Sequence, residues 1–357
     1  MATDLFSTRT MLQMVQEGFP TNHAWLRDRY FQDRPKFDTK IVEFDLKGKG
    51  DRKIAPFVHP RLGGKAVDRE GYRTKSYEAP EVAPMTVTTA EDLLNRLPGE
   101  NPYYQRDPNT RAAEQLARDM VMLDEIITRR EEAMCAEALF TGKVTIKGDG
   151  YDEVIDFWSD LEEGEKPETT PTTKWDAAGT TAKQIMTELR DIRLKMIQTA
   201  AFTPVEVIMG SEVLNAVLDK LTDAALLDMR RVDMGQIDPT QLPQGVTYWG
   251  RLKDSGLDLY SYDNWYTDPD TGKLTPFVPA DKALLAATGI RTALAYGACG
   301  LISEDPDVPR VIAGARVPES WVQHASPAGR ILQMKSRPLP IIQQVYGFHV
   351  VSPLTED

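Results

Sequence analysis

Several groups of residues in this chain have types and spacing that could do chemistry, and each lacks a part the chemistry needs. Gly63-Gly64-Lys65-Ala66 reads like the end of a phosphate-cradling loop, but His59 stands where the first glycine belongs. Ala66 also replaces the hydroxyl residue that would hold magnesium. Gly48-Lys49-Gly50 lacks the third glycine and the following helix of a dinucleotide fingerprint. Asp268-Pro269-Asp270 begins like a calcium loop, yet Gly272 comes one position early and no glutamate closes it. His23, His59, His324 and His349 are scattered without metal-ligand spacing. The carboxylates between Asp149 and Glu168 could supply an acid–base pair, but no apolar pocket is written around them to shift a pKa. A solvated acidic loop is the simpler reading. Cys135 and Cys299 are too few for a disulfide framework, and Cys135 reads as a small buried apolar residue. The chain is therefore expected to be no enzyme, with no catalytic residue, cofactor site or metal ligand.

The elements that would position any such group point to assembly instead. One helix signal dominates, from Asp107-Pro108, a capping acceptor followed by a proline suited to the first turn, to a stop at Gly142. Leu116, Met120, Leu123, Ile127, Met134 and Ala138 fall on one stripe at helical spacing. Arg118, Glu125, Arg129, Arg130, Glu131, Glu132 and Glu137 are assigned to the other faces. At 1.5 Å per residue this is a rod of roughly 50 Å, nearly three times the usual helix. The roughly one hundred residues before it hold no comparable helix. A long rod beside a poorly packed arm predicts a subunit that completes itself on its neighbours.

Composition narrows the class. With 357 residues, two domains are the prior. The 41% hydrophobic and 27% charged content is that of a soluble protein. A net charge of −12 argues against general nucleic-acid binding, which needs cations to displace phosphate counterions. An acidic wall would nonetheless avoid sticking to packed DNA. Arg291 interrupts the alanine-rich run from Ala283 to Ile302, and no basic-then-apolar leader opens the chain, so a soluble cytoplasmic product is expected.

Charge is unevenly placed. Between Lys47 and Lys75 nine bases face three acids, among breakers that include Gly48, Gly50, Gly63, Gly64 and Gly71. Short β-like runs such as Ile54 to Val58 predict an extended two-stranded loop with little core and uncovered edges. Residues Asp149 to Glu168 and the long helix are acidic. A basic loop and an acidic body predict an inter-subunit contact of Lys49, Lys53, Lys65, Arg69 and Arg73 with Glu125, Glu131 and Glu132. Glu162 to Thr173 reads as a flexible connector. Beyond it lies a compact α/β pattern: a helical stripe of Ile185, Leu189, Ile192 and Met196, a buried strand Val205–Met209, and a short helix from Ser211 through Leu221. Paired strands Val246–Trp249 and Leu257–Tyr262, a tight turn Asp268–Gly272 and a strand Lys282–Ala287 follow. The tail from Ile331 to Val351 is strand-like, with Pro338 and Pro340 read as interruptions.

Taken in order, these segments resemble the major capsid (head) protein of lambda-type tailed phages. The residues that carry the resemblance are Ile54-Ala55-Pro56-Phe57-Val58-His59-Pro60 with Gly63, Arg96-Leu97-Pro98-Gly99-Glu100-Asn101-Pro102, and Phe140-Thr141-Gly142-Lys143 followed by Tyr151-Asp152. Trp175, Asp228-Met229-Arg230-Arg231, Val278-Pro279-Ala280-Asp281 and Ala315-Arg316-Val317-Pro318-Glu319-Ser320-Trp321 continue it over nearly the whole chain. The Asp223 to Leu242 region departs from the pattern beyond its arginine pair.

The resemblance implies an α+β, HK97-type phage coat-protein fold. It would comprise an N-terminal arm (1–45), an extended β-loop (46–90), a peripheral domain (91–172) with a spine helix over 108–140, an axial domain (173–313), and a return to the peripheral domain (314–357). It implies self-assembly through pentamers and hexamers into an icosahedral shell around double-stranded DNA, without sequence-specific contact and without a membrane. A scaffold, a portal, a maturation protease and a decoration protein are the implied partners, and a virion assembled in the host cytoplasm the implied location. The alternatives are an encapsulin-like nanocompartment shell, a coat protein that crosslinks itself through a loop lysine such as Lys49, Lys53, Lys65 or Lys75, and an ordinary soluble α/β enzyme.

Overall fold

Proline at the first turn and glycine past the last set the limits of the longest element. In the computed structural model the helix runs from Pro108 to Thr141, 34 residues. Gly142 follows at φ +66, where a side chain is strained. A Cβ there would also lie 2.1 Å from the Trp158 ring, so glycine is required twice over. The structure describes residues 8–17, 24–48, 54–59, 61, 63–64, 66, 71–94, 108–148, 150–224, 227–228, 239–252, 255–301, 311–324 and 328–355. Asp107, the expected cap, and the 96–102 lead-in lie outside them.

Among the described residues the α-helices are α1 (Thr8–Glu17), α2 (Trp25–Tyr30), α3 (Ala90–Leu94), α4 (Pro108–Thr141), α5 (Ala182–Ala200) and α6 (Ser211–Ala224). Two compact units divide the chain: 1–42, 76–133 and 294–340 form the first, and 43–75, 134–293 and 341–357 the second.

In the first unit, β3 (Met85–Thr89), β18 (Val317–Gln323) and β19 (Gly329–Lys335) make an antiparallel sheet in the order β18-β19-β3. Leu332 and Met334 of β19 pack with Leu116, Met120, Leu123 and Ile127 of α4 and Met11 of α1. The expected stripe is thus the buried one. Two further short pairs are β16 (Cys299–Gly300) with β17 (Val311–Ile312), and β15 (Thr292–Tyr296) with β20 (Pro338–Ile342).

Pro338 and Pro340 do not interrupt their strand, contrary to expectation. The bonds on the side of β15 involve Arg337 and Gln343, so the even positions turn their nitrogens away from that partner. β20 is buried and, among the described residues, pairs with β15 alone, so a proline there removes a donor that has no described strand to bond.

The second unit is built on an eight-stranded sheet. Its strands are β6 (Glu168–Thr169), β7 (Pro204–Met209), β8 (Leu227–Asp228), β9 (Thr240–Leu242), β10 (Val246–Leu252), β11 (Asp258–Tyr262), β14 (Ala283–Ala287) and β21 (Phe348–Val351), in the order β6-β21-β14-β7-β11-β10-β8, with β9 also on β10. Alternate residues Val207 and Met209, Ala283 and Leu285 pack with Ile185, Leu189 and Met196 of α5 and Val213 and Val217 of α6. Thr181 and Gln184 close a capping box at the start of α5. The hairpins β4 (Lys143–Gly148) with β5 (Tyr151–Asp156) and β12 (Trp265–Thr267) with β13 (Leu274–Pro276) complete it.

Three further expectations are corrected. The 162–173 connector is docked: β6 pairs in parallel with β21, and Val350 N donates to Pro167 O at 2.8 Å. Backbone pairing, invisible in a polar composition, holds it. The tail does not return as one piece, since 341–357 belongs to the second unit through β21. Ile54–Val58 forms no strand and is exposed throughout.

Candidate functional site

The expectation of assembly makes surfaces the candidate site, and the extended loop is the first. Its stem is β1 (Ile41–Lys47) paired with β2 (Tyr72–Glu78). At the base Phe44 is buried against Phe157, ring centroids 6.3 Å apart. Lys75 Nζ lies 2.8 Å from Asp160 Oδ2 and donates to Ser159 Oγ at 3.0 Å. Arg73 reaches the same carboxylate at 3.9 Å. The hydrogen bond from Lys75 pulls the Asp160 carboxyl below its usual range. Toward the tip, Ile54 and Phe57 are fully exposed. A stem that is anchored and a tip that leaves large apolar side chains in water is a surface made to be covered.

Of the basic loop residues expected to make the contact, only Arg73 is described; Lys49, Lys53, Lys65 and Arg69 lie outside the described residues. Arg73 faces an acid of its own subunit. Lys75, a candidate for crosslinking, is engaged with Asp160 and Ser159.

The acidic side of the expected contact is corrected by burial. Glu125 stays at the surface, 3.0 Å from Arg129 one turn on. Glu131 and Glu132 are 0% exposed. Glu131 lies at the period of the stripe itself, four residues after Ile127 and three before Met134, and that spacing is the signal by which its burial can be read. Two arginines make that burial tolerable. Arg27 Nη1 donates to Glu131 Oε2 at 2.7 Å, and Arg316 Nη1 to Oε1 at 2.5 Å. Arg316 Nε also bonds Asp124 Oδ1 at 2.6 Å, Nη2 bonds Thr128 Oγ1 at 3.0 Å, and Tyr296 OH donates to Glu131 Oε1 at 3.1 Å. Burial alone raises the Glu131 pKa, but Arg316 and then Arg27 outweigh it and hold the group below the usual carboxylate range. Burial, followed by the Glu131 charge, pushes the Tyr296 phenol up.

Glu132 faces another way. Its two oxygens accept from Leu26 N and Arg27 N, each at 2.8 Å, so a carboxylate from α4 caps the start of α2. Arg27, Asp124, Tyr296 and Arg316 were not singled out individually in the sequence. Their chemistry is visible there, but their convergence across separations of more than 100 residues is not.

The cluster is a structural lock: each charged group in it faces a protein partner. Among the described residues no group of His, Cys, Asp and Glu could hold a metal ion, and no helix is long and apolar enough to cross a membrane.

Comparison with known proteins agrees with this anatomy. The chain is 24% identical to the major capsid protein of Escherichia phage lambda over 349 residues, 95% of this chain and 96% of that one. It is 24% identical to the major capsid protein of Enterobacteria phage P21 over 372 residues, 97% of this chain and 98% of that one. The fold is similar to the crystal structure of a capsid protein from a prophage of Escherichia coli CFT073, with TM-score 0.70, 20% identity, and 98% and 99% of the two chains covered. It is also similar to a capsid subunit of cyanophage A-1(L), with TM-score 0.51, 13% identity, and 94% of each chain covered. The architecture is the HK97-type α+β coat fold. With the family model for phage major capsid protein E matching residues 7–347, the chain belongs to that family and is a structural protein of the phage head shell.

Proposed function

We propose that this chain assembles through pentamers and hexamers into an icosahedral head shell that encloses double-stranded DNA. The observation that carries this reading is the anchored loop with its bare apolar tip: Phe44 and Lys75 fix the stem, while Ile54 and Phe57 stay in water until a neighbour covers them. Residues 1–45 act as arm, 46–90 as extended loop, 91–172 with 314–340 as peripheral domain around the spine helix, and 173–313 as axial domain clustered at the shell's symmetry centres, joined by the tail strand after residue 340. Each contact is modest, but every subunit makes many at once, so closure is multivalent.

The loop bases Lys49, Lys53, Lys65, Arg69 and Arg73 steer it toward an acidic neighbouring surface, to which Glu125 contributes and from which buried Glu131 and Glu132 drop out. A chain of net charge −12 surrounds DNA without base-specific contact. Scaffold, portal, maturation protease and decoration protein are the partners of this role, and assembly takes place in the host cytoplasm before the subunit resides in the virion.

Negative-stain imaging of the purified full-length chain tests the reading. Closed shells with five- and six-fold clusters are expected. A folded chain that stays monomeric at high concentration, with and without its head-assembly partners, overturns it.

A further inference from the structure

The arm does not wait for a neighbour. Besides the Glu132 cap on α2, residues 33–39 lie along residues 294–298 as an added strand: Leu294 N donates to Asp33 O at 2.8 Å, Tyr296 N to Pro35 O at 2.9 Å, Phe37 N to Tyr296 O at 2.9 Å, and Ala298 N to Thr39 O at 3.0 Å. Leu26 and Phe31 are buried. Arg27 is buried as well, with Asp28 Oδ1 2.9 Å from its Nε on one side and Glu131 on the other.

We propose that residues 24–39 are a strap, buckled onto α4 of the same subunit by the adjacent carboxylates Glu131 and Glu132, and that this buckle sets whether the arm is docked. The charge count supports a two-state device. Closed, the buckle holds Arg27 against Glu131 and Arg316 against Asp124 and Glu131, with Glu132 on the α2 amides. Open, Arg27 and those amides leave, so Arg316 faces both Asp124 and Glu131 and Glu132 loses these two amide donors. An unbalanced buried cluster of that kind is unfavourable, so the half-open state is avoided and the strap moves as a unit. α2, with six residues, is far below the length at which a helix holds itself, so it melts once its cap is lost. The buckle therefore controls a segment of 16 residues through two side chains, independently of any subunit contact.

Hydrogen exchange on the unassembled full-length chain tests this, reading peptides over 24–31, 33–39 and, as control, 182–200. In the unaltered chain both strap peptides are expected to be protected. Glu132→Gln, which keeps the shape and removes the charge, should speed exchange over 24–39 about tenfold or more and leave 182–200 unchanged. Arg27→Gln, made from the strap side, should do the same and serves if the first variant fails to fold. Unprotected strap peptides in the unaltered chain overturn the proposal, since the arm would then owe its order to neighbours. Unchanged exchange in both variants also overturns it, with the added strand alone holding the arm. Faster exchange across the control peptide as well overturns the strap as a separable device. Imaging the same samples reads shell formation separately: closed shells alongside any of these outcomes leave the capsid role standing and remove only the strap.

Discussion

His349 Nε2 lies 2.8 Å from Thr169 Oγ1, joining β21 to the short parallel strand β6 at the margin of the eight-stranded sheet. The histidine is buried, and burial, with the charge of Lys195 adding to it, lowers its pKa to about 4. An unfolded histidine titrates near 6.5. Between those values the unfolded chain binds more protons, so stability falls as pH drops from about 6.5 and the loss is complete near 4. The full effect is on the order of 3 kcal/mol. Replacing His349 with Gln should flatten that part of the pH–stability curve, measured by denaturant unfolding. An unchanged slope between pH 6.5 and 4 would assign the dependence to other groups.

Ile127 sits at the centre of the stripe that α4 turns toward Met11, Leu332 and Met334. Ile127→Ala leaves a cavity and should cost about 2–5 kcal/mol, seen as a lower urea midpoint with an unchanged slope. Ile127→Asp should be worse, because it adds a charge to a cluster of apolar neighbours.

Phe57 separates stability from assembly. Fully exposed, it contributes almost nothing to the subunit's own fold, so Phe57→Ser should shift unfolding by no more than about 0.5 kcal/mol. Shell yield should fall sharply, because the same side chain is available for a neighbour to bury. Normal shells from Phe57→Ser would take the tip out of the contact.

The basic loop is expected to act through steering. Changing Lys49, Lys53 and Lys65 together to Glu should block shell formation while circular dichroism of the monomer stays unchanged. Raising salt should slow association of the unaltered chain, since exposed charges are screened within about 8 Å at physiological ionic strength. Normal assembly by the triple variant, with normal salt dependence, would leave the loop to apolar contact and backbone pairing.

The long helix, the α5 stripe, the β10–β11 pair and the turn at Asp268–Gly272 were legible because their signals are local: periodicity, breakers and turn chemistry. The strand through Pro338 and Pro340 is hidden in the sequence because a proline's effect depends on which side of the strand has a partner, and that is a tertiary fact. The docking of 162–173 is hidden for the same reason. At the site, Glu131 could have been found from its place in the apolar stripe, whereas Arg27 and Arg316 could not. They reach it from opposite ends of the chain, and only the fold brings two cations to one carboxylate.

Gly142 and Trp158 together give α4 a hard stop. The indole fills the space that a Cβ at 142 would need, so on this backbone no residue but glycine can follow the helix without displacing a buried aromatic ring. A closed shell accumulates the dimensional error of every copy it contains. Fixing the end of its longest rod by steric exclusion, rather than by the shallow preference of helix propensity, makes that rod a gauge of constant length.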